Sequence, residues 1–213
     1  MRITVFGGTG YAGSNIVAEA AARGHDVISV SRNAPEHPLD GVTYMAADIR
    51  VPADREAALS GADVAVIALA PLGDMADTMA EAVLAFAREA GAAGVRVGVV
   101  GGAGSLMTEP GGMRLDESPA MPELFKSFSV VLTAILDGLR ESAEAGDWFY
   151  VSPAESFGSY NPGQRRGEYR TGGDVLVVDD QGVSDISGAD FGAAIVDEIE
   201  NPVHRRQRFT VAY

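Results

Sequence analysis

Gly7-Gly8-Thr9-Gly10-Tyr11-Ala12-Gly13 decides the fold, because it follows the apolar run Ile3-Thr4-Val5-Phe6 and opens an alanine-rich run that lasts to about Arg23. A strand over Ile3–Phe6 and a helix over Tyr11–Arg23 place Gly7, Gly10 and Gly13 at the strand-to-helix turn. The first glycine permits the tight turn, the second lets backbone approach a pyrophosphate, and the third brings helix against strand. N–H groups of a first helical turn have no partner inside the helix, and the helix dipole favours negative charge there. A phosphate is therefore held without any basic side chain. A turn that merely joins strand to helix is the plainer alternative. The strand before it, the helix after it and a second strand at Asp26–Ser31 favour dinucleotide binding.

Working outward, strands at Val42–Met45, Asp63–Leu69 and Val95–Val100 alternate with helices at Ala53–Leu59 and Met75–Ala90. Such alternation builds a Rossmann-type, doubly wound α/β fold: a parallel sheet with helices on both faces. Gly24, Gly61 and Gly91 fall where helix ends call for a left-handed residue. From Pro122 to Ala145 the residues Leu124, Phe125, Phe128, Val131, Leu132, Ile135 and Leu139 form one apolar helical stripe. Beyond it we read a strand at Trp148–Val151, a long loop over Ser152–Gly173, and a strand at Val175–Val178. A helix at Gly188–Ile199, capped by Ser187 with Asp190, and an edge strand at Arg208–Ala212 follow. Residues 1–213 read as one domain, with 152–213 contributing most of a small C-terminal substrate lobe.

Thirty acidic against 16 basic side chains give a net charge of -14, which disfavours nucleic acid and anionic membranes as partners and favours small molecules. Cysteine is absent, which excludes disulfides, thiolate metal sites and cysteine nucleophiles. His25, His37 and His204 show no metal-ligand spacing, so no metal is expected. Met1-Arg2-Ile3 runs straight into the first strand without a signal-like segment, and no apolar run reaches membrane-spanning length. The expected location is the cytoplasm, as a monomer or a homodimer.

The cofactor wall is expected to comprise Gly7, Thr9, Gly10, Tyr11 and Ala12, the strand ends Ser31-Arg32-Asn33 and Asp48-Ile49, and backbone at Ala68-Leu69-Ala70. An acidic residue at the end of the second strand would select NAD; here Arg32 offers two charge-assisted hydrogen bonds to a 2′-phosphate instead. NADP(H) is therefore preferred over NAD(H), although a solvated surface arginine is the alternative role. Asp48 either accepts from the adenine amino group or caps the short helix after it.

The chain resembles the atypical short-chain dehydrogenase/reductase superfamily, and within it the bacterial NADH-flavin reductase group related to biliverdin-IXβ reductase (flavin reductase) and to NmrA-like proteins. The likeness rests on residues 7–13, on Gly101-Gly102-Ala103-Gly104-Ser105-Leu106, and on Asp147-Trp148 with Ser152-Pro153-Ala154. Pro162 to Arg170 and Arg208-Phe209-Thr210-Val211 complete it. Arg166 departs from the threonine expected there. The resemblance implies cofactor contacts from Gly102, Ser152, Pro153 and Ala154, and matches Ser105 to the superfamily's active-site serine. Ser105 is also the best polar candidate by position, after a glycine turn at a strand's carboxyl end; capping that turn is its other role.

Carbonyl-reducing superfamily members use Tyr-x-x-x-Lys, but Pro122 stands four before Lys126 and the motif occurs nowhere here. Hydride transfer to a flavin asks less, since the ring delocalises the incoming electron pair and water supplies protons. FMN or FAD is thus expected as a substrate rather than a prosthetic group, with Arg165, Arg166 and Tyr169 as its binding cluster. Reduction of a small carbonyl or quinone, and an NmrA-like sensor that turns nothing over, are the alternatives.

Overall fold

Period-two alternation divides the strand residues between two cores. The computed structural model describes residues 1–213. In β1 (Arg2–Phe6), Ile3 and Val5 enter one core and Phe6 the other. The same split separates Val64 and Val66 from Ala65 and Ile67 in β4 (Val64–Ile67), and Phe149 and Val151 from Trp148 and Tyr150 in β6 (Trp148–Pro153). With β2 (Asp26–Ser31), β3 (Val42–Ala46), β5 (Arg96–Val100), β7 (Arg170–Gly172) and β8 (Gln207–Ala212), these form one sheet of order β3-β2-β1-β4-β5-β6-β8-β7. Every pairing is parallel except β7 with β8.

One face is covered by α1 (Tyr11–Ala22) and α5 (Gly188–Glu200), which bury Ile16, Val17, Phe191 and Ile195. The opposite face carries α2 (Pro52–Leu59), α3 (Met79–Ala93) and α4 (Glu123–Glu141), with Phe86, Ile135 and Leu139 fully buried. Burial of each such side chain contributes about 1.5–3 kcal/mol. The order reverses between β1 and β4, so the crevice at their carboxyl ends is the switch point where doubly wound sheets bind ligands.

The amino edge of the sheet is closed by ion pairs. Buried Arg96 reaches Glu198 Oε1 at 2.6 Å, and His204 Nδ1 lies 2.7 Å from Oε2. Burial alone would raise the Glu198 carboxyl; hydrogen bonds from Arg96 and His204 overcome this and hold it below its ordinary range.

Several expected boundaries move. Helix α3 continues through Gly91 and ends at Gly94, which takes the left-handed conformation at φ 71°. Gly91 instead permits close packing, since a Cβ there would lie 2.8 Å from the Gly146 nitrogen. Helix α4 stops at Glu141, short of Ala145. Val175–Val178 is no strand, as Val175 makes only an isolated bridge to Met107, while β7 arises inside the expected loop. Strand β8 is interior, between β6 and β7, because Phe209 and Val211 feed the core and β7 covers its far side. Ser187 does cap α5, its Oγ accepting from the Asp190 N–H at 3.1 Å. No helix is long and apolar enough to cross a membrane.

Candidate dinucleotide and acceptor site

The carboxyl edge of the sheet opens into a cleft of about 1070 Å³. That is at the upper end of the range for small-molecule pockets, about 300–1,000 Å³. Its floor is the glycine turn. Gly7 sits at φ 74°, and its N–H donates to Val30 O at 2.8 Å, tying the turn to β2. A Cβ on Gly13 would lie 2.7 Å from the Gly7 carbonyl carbon and 2.9 Å from Gly8 Cα, so glycine lets α1 begin against the turn. No side chain caps α1 at Gly10, and its first turn carries no acid. Its leading N–H groups face the cleft beside Thr9, Tyr11 and Ala12, and the open flank of Gly10 gives backbone access. This cradle fits a pyrophosphate.

The adenosine end is ringed by charge. Arg32 Nη1 lies 2.8 Å from Asp74 Oδ2, and Arg50 Nη2 bridges Asp74 at 2.8 Å and Asp48 at 2.5 Å. Two guanidiniums thus converge on one exposed carboxylate, and Arg32 with Arg50 holds the Asp74 pKa below its ordinary value. Asp48 is lowered chiefly by its hydrogen bond from Arg50. It lines the cleft with Ile49 and does not cap α2, whose N-cap is Val51. Ser31 donates to Asn33 O at 2.5 Å and closes the turn after β2; both residues line the cleft.

Toward the centre, Ala68, Leu69, Ala70 and Gly102 line the wall, as do Pro153 and Ala154. Ser152 does not: its hydroxyl is buried, unpartnered and outside the cleft lining. Ser105 also lies outside that lining, because Arg208 Nη1 donates to its Oγ at 2.7 Å and holds it on the β8 side. The cleft instead receives Ser129 from α4, whose Oγ donates to Asp116 Oδ2. Arg114 braces that carboxylate at 2.5 Å, and the Asp116 N–H donates to Gly104 O at 2.8 Å.

The far end is aromatic. Phe125 lies 6.1 Å from Phe128 and 6.4 Å from Tyr160, and Phe157 sits 5.2 Å from Tyr11. The Tyr11 hydroxyl donates to Pro162 O at 3.2 Å, so the same loop is tied back to the glycine turn.

The expected arginine cluster is elsewhere, on the α1–α5 side. Arg165 pairs with Glu19 at 2.7 Å, Arg166 lies 3.7 Å over the Tyr213 ring, and the Tyr169 hydroxyl donates to Asp197. None lines the cleft, so the binding role assigned to Arg165, Arg166 and Tyr169 is corrected: each is already engaged in fastening the loop to the helices. Of residues 152–213, only Pro153 to Tyr160 reach the cleft wall, and most of the acceptor wall comes from residues 102–132. Sequence reasoning missed Ser129 and Asp116, which lie off the apolar stripe and in an aperiodic loop. It also missed Arg50 and Asp74, which only the fold brings to Arg32. The clue for Phe125 and Phe128 was present, but a stripe is read as core.

The sheet order, the uncapped glycine cradle and the cleft together define an NAD(P)-binding protein of the Rossmann type. A family model described as NAD(P)H-binding matches residues 7–202, and the chain belongs to that family. It is 32% identical over 213 residues to the uncharacterised protein YwnB of Bacillus subtilis, covering 99% of this chain and 98% of the relative. A Burkholderia pseudomallei structure described as a candidate exported protein is similar at 40% identity and TM-score 0.86, with 100% of both chains covered. SP1627 of Streptococcus pneumoniae, a candidate NADH-flavin reductase, is similar at 30% identity and TM-score 0.86, covering 100% of this chain and 99% of that one.

Proposed function

We propose that the protein is an NADPH-preferring oxidoreductase that passes hydride to a flavin or similar flat acceptor. The observation that carries this reading is one continuous cleft, with a glycine cradle at its floor and an aromatic chamber at its far end. Bound in the cradle, a reduced nicotinamide dinucleotide supplies the hydride. The chain's part is to hold the two rings together and keep water from the apolar wall of Leu69, Met121 and Leu132. Lys126 is paired with Glu123 at 3.1 Å and lies outside the cleft lining, so no lysine completes a carbonyl-reducing tyrosine pair. That favours an acceptor whose own ring spreads the charge. The candidate flavin reductase SP1627 is consistent with this reading.

Preference for NADPH rests on Arg32, joined by Arg50, at the adenosine end. The test is loss of the reduced-nicotinamide absorbance in purified protein with NADPH, first alone and then with a flavin, a quinone or a ketone. Turnover with a flat acceptor and none with a simple ketone is expected. Tight NADPH binding without turnover on any acceptor would refute the reading and support a sensor. Arg32→Ala is expected to weaken NADPH at least tenfold more than NADH, as charged hydrogen bonds contribute about 1.5–3 kcal/mol.

A further inference from the structure

Arg32 is the one cation in the cleft wall, and it stands at the adenosine end. The acceptor chamber contains no lysine, arginine or histidine. Nearby cations are spent: Arg114 on Asp116, Lys126 on Glu123, and Arg208 on Asp174 and Ser105. The charged residue that does line this end is Glu155. With Asp185 it faces Tyr160, whose hydroxyl is pushed above its ordinary value by burial and then by these two carboxylates. Leu124, Phe125 and Tyr160 expose apolar surface at the mouth, at 55%, 42% and 64%. An anion entering here finds no counter-charge and two carboxylates, on a chain of net charge -14. Aromatic walls and neutral hydroxyls, those of Ser118, Ser129, Ser156, Ser159 and Tyr160, remain as the means of recognition.

We infer that the acceptor is an uncharged, planar, conjugated ring, a quinone or an isoalloxazine without phosphate, and that the chamber discriminates against anionic acceptors such as FMN. The inference rests on the hydride-transfer reading above and names its substrate class. The balance is that of a two-electron reduction: the acceptor gains a hydride from NADPH and a proton from water, NADPH leaves as NADP+, and a quinone leaves as its hydroquinone. Ser129 already donates its hydroxyl proton to Asp116, which Arg114 braces, so the proton that completes the reduction comes from water.

Riboflavin and FMN share one ring and differ only in the phosphate, so they isolate charge. On the full chain with NADPH, kcat/KM for riboflavin is expected to exceed that for FMN by roughly tenfold, mostly through KM, and the gap to narrow with added salt. Menadione, uncharged and phosphate-free, is expected to turn over as well. Leu124→Arg, which sets a cation at the mouth, is expected to bring FMN close to parity. Equilibrium binding of the two flavins to the NADP+-loaded protein, read by quenching of flavin fluorescence, reports the same preference without turnover. FMN binding as tightly as riboflavin, or more tightly, overturns the inference even if hydride transfer is observed. Riboflavin binding preferentially with no turnover leaves the charge rule standing and removes the oxidoreductase reading instead.

Discussion

Replacing Gly10 and Gly13 separately by alanine tests the cradle, because the two positions fail in different ways. At Gly13 the new Cβ would stand 2.7 Å from the Gly7 carbonyl carbon, whereas carbon atoms rest about 3.5–4.0 Å apart. Helix α1 must therefore move by roughly 1 Å, at an overpacking cost of about 1–3 kcal/mol. For a chain of this size that is a fall in Tm of roughly 2–12 °C. At Gly10 a Cβ meets only the Gly7 oxygen, at 3.3 Å, and φ is -78°, which alanine adopts freely. Alanine in place of glycine at a helix N-cap costs up to about 1 kcal/mol, and the stiffer unfolded chain returns about 0.4–1 kcal/mol. Gly10→Ala should therefore melt within about 2 °C of the parent without cofactor. Its methyl group, however, projects onto the open flank where the pyrophosphate approaches the backbone. The assay is thermal unfolding of each variant with and without NADPH. At a hundredfold excess over Kd the ligand stabilises by about 2.7 kcal/mol, or roughly 5–11 °C. For Gly10→Ala a tenfold affinity loss would halve that gain, to about 1.4 kcal/mol. A Gly10→Ala protein whose NADPH-induced shift equals the parent's would refute the placement of the pyrophosphate on this turn.

Asp74→Asn should tighten NADPH severalfold and leave NADH nearly unchanged, since it frees Arg32 and Arg50 for a phosphate; fluorescence titration with both nucleotides decides it, and unchanged NADPH affinity counts against a shared arginine clamp. Glu198→Ala should cost up to about 3–5 kcal/mol, since buried Arg96 then keeps only Asp147, at 3.4 Å, as an anionic partner; urea unfolding at neutral pH measures it. The Glu198 pKa is lowered on folding, so its stabilising contribution is complete above the ordinary glutamate value of about 4.3 and disappears as pH falls through the folded value. Glu198→Gln should accordingly be less stable than the parent at pH 7, with the difference shrinking below about pH 4.

The dinucleotide half was legible because its chemistry is local. Gly7 to Gly13 needs only a strand before it and a helix after it, and Arg32 and Asp48 follow from where two strands end. The acceptor half was not, because it is assembled across distance. Ser129 meets Asp116 thirteen residues away, and Asp74 meets Arg32 across 42 residues, through contacts that no periodicity announces. Arg165, Arg166 and Tyr169 misled for the complementary reason: a dense positive loop reads as a ligand site until its partners Glu19, Tyr213 and Asp197 are seen. Val175–Val178 had strand composition but lacked a neighbour with which to pair, and composition does not reveal that.

Helix α4 divides its duties along its length: Ile135, Leu136 and Leu139 belong to the core, while Leu124, Phe125 and Phe128 face the chamber. On the proposed hydride-transfer reading, a variant library confined to its first two turns would change the chamber wall while leaving the core residues Ile135, Leu136 and Leu139 in place.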